Sequence, residues 1–228
     1  MTLLTELISI IKEALPEILS LRQEKVLKED NSYVSKGDLL MDSRIISFLT
    51  SKYTSLQIIT EETYQSGTVS LNATEYIAVV DPIDGTENFV SGLKEWGSGV
   101  CMYRNGLFEE AFIALPELGQ YIHSSDLLES KFESRIYGIS SSLTKEDILL
   151  LEPGFEYRII GCCMYNMYNV LTGSYKQFQN PKGAKCWDIL PGLNMALKHH
   201  LEVTVNEQPY QGEFLQPNER YRFKIKNV

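Results

Sequence analysis

Cysteine and histidine are scarce in this chain of 228 residues, with four of the first and three of the second. Cys101, Cys162, Cys163 and Cys186 show no CxxC spacing, and no histidine pairs with a cysteine at the separation a structural zinc requires. A disulfide scaffold and a zinc finger are therefore set aside, and any bound metal would have to be held by oxygen. Long uncharged runs are missing too. The longest helical pattern, from Leu3 to about Leu27, is interrupted by Glu6, Lys12, Glu13, Glu17, Arg22 and Glu24, so it is no membrane span. It also lacks the basic start and small-residue cleavage site of a secretory signal, and the expectation is a cytoplasmic protein with no membrane partner. Positive charge is short: 21 Lys and Arg face 30 Asp and Glu, a net charge of −9 with no basic patch. Nucleic acid is not an expected partner. An enzyme this acidic would need cations to meet an anionic substrate.

The composition that remains, 43% hydrophobic and 22% charged, is that of an ordinary folded protein. The length suits a single domain over residues 1–228, with lobes of approximately 1–127 and 128–228. Leu4, Leu7, Ile11, Leu15 and Ile18 recur at helical spacing, with Pro16 as a candidate kink. A second helix is expected over Leu39 to Leu49, with Asp38 as its N-cap. Strands follow at "LQIIT", "YIAVV", "GVCMY", "FEEAFIAL" and "GQYIHS", and Asn105-Gly106 between two of them predicts a hairpin in a largely antiparallel sheet. Beyond about residue 127, strands and helices alternate in a smaller α/β part, so the whole is expected to be layered.

"YIAVVDPIDGTENFVSG", residues 76–92, carries the chemistry. Pro82 has no N–H to donate and a fixed φ, so it is expected to end the sheet pairing and hold Asp81 and Asp84 in a defined relation. Gly85 permits close approach of backbone to a ligand, and Gly85-Thr86 would open a short helix whose free N–H groups suit a phosphate. Local structure alone offers another account of two residues: Asp84 as a helix cap and Glu87 as its capping-box partner. Asp81, Pro82 and Gly85 are not covered by it.

Asp81-Pro82-Ile83-Asp84-Gly85-Thr86-Glu87-Asn88-Phe89 resembles the D-P-[I/L]-D-G-T-x-N-F signature of the inositol monophosphatase family of magnesium-dependent, lithium-sensitive phosphatases. "KEDNSYVSKGDLLMD", "TEE" at 60–62 and "GCCMYNMYNVLTGSYKQF…CWDILPG" resemble other family segments, in order along the chain. Taken singly, Glu61-Glu62 also suits a solvated loop and Asp188 a helix N-cap.

The resemblance implies a layered αβαβα sandwich of the sugar-phosphatase type, α+β with an antiparallel N-terminal sheet and a smaller C-terminal α/β part. It implies two or three Mg²⁺ ions, one held by Glu61, Asp81 and the Ile83 carbonyl and a second by Asp81, Asp84 and Asp188. Hard oxygen donors suit Mg²⁺, and paired ions can activate water and stabilise a leaving oxygen. Asp38 and Thr86, with Glu61, would serve the attacking water; Gly85, Thr86 and Asp188 would meet the substrate. Lys28, Asp30 and Ser32 match a mobile loop near the metals.

The implied activity is phosphomonoester hydrolysis of a small polyol or sugar phosphate such as inositol 1-phosphate, by a homodimer. The alternatives are a 3'(2'),5'-bisphosphate nucleotidase acting on 3'-phosphoadenosine 5'-phosphate and a non-catalytic interaction protein that kept the fold. The sequence departs from the family pattern in three places. Leu190-Pro191 stand where small residues are usual, so the helix there is expected to pack differently. Pro181 stands where inositol-selective members carry a glutamate, and the stretch from His123 to Arg135 is short. His199-His200 is expected to be the polar end of a helix, with imidazolium complementing the dipole. Cys162-Cys163 is expected to be packing.

Overall fold

The computed structural model describes residues 3–29, 31–128, 132–141, 143–149 and 151–227. Asp30, assigned above to the loop near the metals, lies outside them. Helices α1 (Leu3–Ser20) and α2 (Lys36–Lys52) flank a two-stranded hairpin, β1 (Lys25–Leu27) and β2 (Tyr33–Ser35). The expected helix to Leu27 therefore stops at Ser20. Its apolar period fades after Leu19, and Val26 and Leu27 are exposed on a hairpin strand.

A five-stranded sheet follows: β3 (Leu56–Thr60), β4 (Tyr76–Asp84), β5 (Gly97–Arg104), β6 (Leu107–Leu115) and β7 (Gln120–His123), in that spatial order. Only β3 and β4 are parallel. Asn105 and Gly106, at φ 49° and 79°, make the expected tight turn between β5 and β6. The second sheet has the order β12-β11-β13-β10-β8-β9. Its strands are β8 (Ile136–Ile139), β9 (Glu156–Ile159), β10 (Gln177–Ala184), β11 (Glu202–Val205), β12 (Gln208–Pro209) and β13 (Tyr221–Lys226). Its connections carry α4 (Lys145–Leu149), α5 (Cys163–Leu171) and α6 (Cys186–Lys198), while α3 (Thr86–Val90) follows β4. No helix among the described residues is long and apolar enough to cross a membrane.

Strand alternation sorts the core into two. Ala78, Val80, Val100, Met102, Phe112 and Ala114 face α1 and α2. Ile77, Val79, Cys101, Ala111 and Ile113 face the other way, onto α5 and α6, whose far side packs on Phe178, Val203, Val205, Phe223 and Ile225 of the second sheet. The result is an α+β sandwich in which α5 and α6 form the middle layer. The outermost layer is the short α4, which has no buried residue. The parity of β4 matters most for function. Asp81 follows Ile77 and Val79 on the face toward α6, so the strand aims its carboxylate into the middle layer rather than into solvent.

Candidate active site

β4 does not stop at Pro82. Asp81 pairs with Gly99, the register then shifts, and Asp84 pairs with Gly97. The missing N–H of Pro82 falls inside a bulge, where a lost ladder bond is tolerated, so proline redirects the strand instead of ending it. Gly85, at φ 85°, is the N-cap of α3 and makes no side-chain cap bond. A Cβ there would lie 2.9 Å from the Cys162 Cβ, so both the left-handed backbone and the close approach require glycine. The capping-box account of Asp84 and Glu87 falls with this geometry. Asp84 instead turns to α5, where its Oδ2 accepts the Met164 N–H at 2.5 Å and the Cys162 thiol at 3.2 Å. Gly97 lets α5 come this close, since a Cβ on it would meet the Met164 Cβ at 2.8 Å.

Three of the expected ligands converge. Glu61, at the end of β3, Asp81 and Asp188 each present an oxygen, all within 4.8 Å of one another. Asp81 is fully buried, and neither of its oxygens receives an N–H or hydroxyl donor from the described residues; its neighbours there are other carboxylates. Burial, then the charges of Glu61, Asp84 and Asp188, push its carboxyl well above the usual range. Burial, then Asp84 and Glu61, does the same to Asp188. Asp84 is pushed up to about 7 by burial, against the pull of the Met164 N–H. A bare buried carboxylate among like charges is costly, and a cation against it reverses the sign of that cost. The donor set, carboxylates only and without thiolate or imidazole, fits a hard divalent ion such as Mg²⁺.

Asp188 is the third residue of α6, and its Oδ2 accepts the Lys185 N–H at 2.8 Å. It is therefore not the N-cap but turns back on the cap from within the first turn. Asp38 departs from expectation in the same manner: Ser35 caps α2 and Asp38 is its capping-box partner. Asp38 Oδ2 takes the Ser35 N–H at 2.9 Å and the Ser35 hydroxyl at 2.5 Å. The Thr86 hydroxyl lies 3.0 Å from Asp38 Oδ1 and 3.1 Å from the Ile83 carbonyl oxygen, so its one proton serves either. Burial raises Asp38, and the donors from Ser35 and Thr86 offset part of that rise.

Lys28 reaches in from the β1–β2 hairpin to Glu61 at 3.1 Å and Glu62 at 3.0 Å. Burial would lower its pKa, but the two glutamates hold the ammonium above its ordinary value. Glu62 in turn is raised to about 7, by burial and then by Glu61. Ser32 is in the same hairpin turn, its carbonyl accepting the Lys28 N–H at 2.7 Å.

Some participants escaped the sequence. Asp42 is 5 % exposed, has one unpartnered oxygen and is raised to about 6 by burial, eased by Thr60 and increased by Glu61. Its place at the end of "SKGDLLMD" was the available signal. Cys162, expected only to pack, is the N-cap of α5, its sulfur accepting the Tyr165 N–H at 3.2 Å. At the other end of the middle layer, burial and then Lys198 and His200 lower His199. The expected imidazolium is thus disfavoured there.

A cavity of about 230 Å³ opens beside the carboxylates, bordered by Asp84, Asp188, Cys162, Asn180, Lys182 and Arg220. A larger one, about 490 Å³, lies on the outward face of the second sheet among Gln179, Thr204, Arg222 and Lys224, away from the acidic cluster. Size does not decide the site; the convergence of bare carboxylates does.

The family model described as "Inositol monophosphatase family" matches residues 1–152, which include Asp38, Glu61, Asp81, Asp84 and Thr86. The chain belongs to the inositol monophosphatase family. It is 32% identical to the Nus factor SuhB of Pasteurella multocida over 191 residues, 74% of this chain and 70% of that protein. With the putative Nus factor SuhB of Neisseria meningitidis it shares 31% over 148 residues, 65% of this chain and about half (54%) of that protein's length. An IMPase/NADP phosphatase solved with Mg²⁺ and phosphate superposes with a TM-score of 0.80 at 18% identity, covering 99% of this chain and 89% of that one. At that identity the likeness is one of fold. For the inositol monophosphatase family, the layered sandwich and the acidic cluster between its sheets thus occur together in this chain.

Proposed function

We propose that the protein is a magnesium-dependent phosphomonoesterase acting on a small polyol or sugar phosphate such as inositol 1-phosphate. One observation carries the reading: among the described residues neither oxygen of the fully buried Asp81 receives an N–H or hydroxyl donor, while both face the carboxylates of Glu61 and Asp188. Glu61, Asp81, Asp84, Asp188 and the Ile83 carbonyl would hold the ions, which when bound supply Lewis acidity toward phosphoryl and water oxygens. Membership of the family and the fold shared with an enzyme solved with Mg²⁺ and phosphate support this assignment.

The chain's own residues do the rest. Gly85 and Thr86 open α3, where first-turn N–H groups have no acceptor within the helix and would suit phosphate oxygens. With its proton donated to Asp38 Oδ1, the Thr86 hydroxyl keeps its lone pairs for a proton of the attacking water. Asp38, raised by burial, is suited to draw that proton along the pair. Asp188 borders the cavity and would contact the substrate. The working unit is inferred to be a homodimer, which light scattering of the purified protein checks. The four free, buried thiols accord with action in the cytoplasm.

A second reading rests on the Nus factor names of the two curated relatives: a protein that keeps the fold without the chemistry. One assay separates the two. Phosphate release is measured from inositol 1-phosphate, 3'-phosphoadenosine 5'-phosphate and fructose 1,6-bisphosphate, with and without Mg²⁺ and Li⁺, beside Asp84→Asn. The expected outcome is Mg²⁺-dependent, Li⁺-inhibited turnover of at least one substrate, lost in the variant. Hydrolysis of none, or full activity of Asp84→Asn, would sink the mechanism.

A further inference from the structure

We infer that Arg22, Glu117 and Trp96 are positioning residues for the reaction: Arg22 and Trp96 clamp Phe89, Glu117 locks the clamp, and the held ring sets the spacing between Thr86 and Asp38. This rests on the phosphatase reading above and adds to it residues outside the acidic cluster. Thr86 and Phe89 lie three residues apart on α3, hence one turn from each other. Phe89 is closed off from solvent and meets three different neighbours. The Arg22 guanidinium carbon lies over its face, 4.7 Å from the ring centroid. The Trp96 ring meets it edge-on, with centroids 5.0 Å apart and planes at 73°. The ring also reaches Gly37 in the first turn of α2, where a Cβ would lie 3.0 Å from its Cε1 and Cζ. Phe89 is therefore the spacer between α3 and α2, one residue away from Asp38.

One oxygen closes the clamp. Glu117, in the single 3₁₀ turn between β6 and β7, accepts on its Oε2 both the Arg22 Nη2–H and, at 2.7 Å, the Trp96 Nε1–H. The Arg22 and Glu117 side chains are 15 % and 12 % exposed, so the pair is largely withdrawn from water, where losing one partner strands the other charge. Gln23, next to Arg22, donates to the Val90 carbonyl at 2.9 Å and anchors the far end of α3. A helix of five residues has too few internal hydrogen bonds to hold its own place. Its seat is fixed from behind by the clamp, and in front by the Thr86 bond to Asp38 Oδ1 at 3.0 Å. A ring free to tilt would let α3 drift against α2, and a misplacement of about 1 Å can cost about a hundredfold even when it begins far from the chemistry.

The clamp should show in kcat rather than in KM. Phosphate release is followed on whichever of inositol 1-phosphate, 3'-phosphoadenosine 5'-phosphate and fructose 1,6-bisphosphate the unaltered protein turns over. In Arg22→Gln, and in Trp96→Phe, which keeps an aromatic ring but loses the Nε1–H, kcat is expected to fall about tenfold. KM and the calorimetric Mg²⁺ affinity should stay within about twofold. Arg22→Lys keeps a charge for Glu117 but not the planar face on Phe89, and should recover the melting temperature more fully than kcat. Coupling is the decisive readout. Placed on Thr86→Ala, where the bond to Asp38 is already gone, Arg22→Gln should lower kcat by less than about twofold, because both act through one contact. Should Arg22→Gln fail to fold, Trp96→Phe carries the same coupling measurement. A clamp that only stabilises the fold would lower kcat by the same factor in both backgrounds, and that result overturns the inference. So does an unchanged kcat in both single variants at a temperature where calorimetry shows them folded. Either result leaves the phosphatase reading standing. Release of phosphate from none of the three substrates by the unaltered protein overturns both.

Discussion

Asp38 and Asp81 are both closed off from solvent, each at 0 % exposure, yet they are stabilised by opposite means. Asp38 sits in the first turn of α2 and receives the Ser35 N–H, the Ser35 hydroxyl and the Thr86 hydroxyl. Asp81 sits on β4 and receives no N–H or hydroxyl donor from the described residues. A buried carboxylate with several donors is a settled part of the fold, whereas one with none costs several kcal/mol in principle unless a cation joins it. The difference matches the proposed roles. The protein fixes the carboxylate that meets the Thr86 hydroxyl, and leaves without N–H or hydroxyl donors the one proposed to meet an ion.

The same substitution at the two positions should therefore move stability in opposite directions. Asp81→Asn is expected to lower Mg²⁺-dependent turnover by about a thousandfold or more, since several kcal/mol of charge stabilisation depend on the bound ions. It should also raise the melting temperature of the metal-free protein, by about 2–4 °C for each kcal/mol of repulsion removed. Calorimetry in EDTA reads the second effect, and a fall there would mean that Asp81 has partners the comparison denies it. Asp38→Asn should instead melt earlier, because an amide nitrogen would face the Ser35 or Thr86 donors, at a cost of about 1–3 kcal/mol. Its turnover should drop about a hundredfold, the scale of a lost proton acceptor.

The pH dependence sharpens the contrast. Asp84 is raised from 3.8 to about 7, and Asp81 and Asp188 are raised as well. Between those limits the folded protein binds more protons than the unfolded chain, so stability falls as pH rises. Without metal, the melting temperature should decline from pH 5 to pH 7.5. With Mg²⁺ the decline should flatten or reverse, because the ion takes the place of the protons. A flat profile in EDTA would count against the bare cluster.

Smaller effects fall at the edges. Cys162→Ala removes a thiol that both contacts Asp84 and caps α5, and should cost about 1 kcal/mol with a few-fold loss in kcat/KM. Cys162→Ser should recover most of it, and equal behaviour of the two would return Cys162 to simple packing. Lys28→Gln should change metal-free stability by less than about 1 kcal/mol, since the ion pairs are partly exposed. It should tighten Mg²⁺ binding a few-fold in calorimetry, because the ammonium no longer neutralises Glu61.

Much of the strand order was legible in local pattern. Leu56–Thr60 has the bounds of its apolar run, and Asn105-Gly106 marked its hairpin. Helix starts were less so. The local sequence suits Asp38 as an N-cap and leaves Asp188 open between a cap and a metal ligand; both are third residues of their helices that turn back on the preceding backbone. A carboxylate at either position produces the same local sequence impression, and only the φ and ψ of the neighbour decide. β13 is absent from the sequence reading although Tyr221, Phe223 and Ile225 alternate clearly, since the segment before it has no apolar period to frame it.

The chain's order of residues determined, without help from folding, that an oxygen-only acidic motif stands at a strand end, with Pro82 and Gly85 to shape it. Backbone stereochemistry and ligand hardness act over a few residues, so they can be argued from a short stretch. Tertiary structure alone decided that Asp81 receives no N–H or hydroxyl donor from the described residues, that α5 claims Asp84, and that Arg22 and Trp96 close on Phe89. Those outcomes depend on donors and charges brought from far along the chain, and a hydrogen bond across such a separation leaves no mark on local pattern.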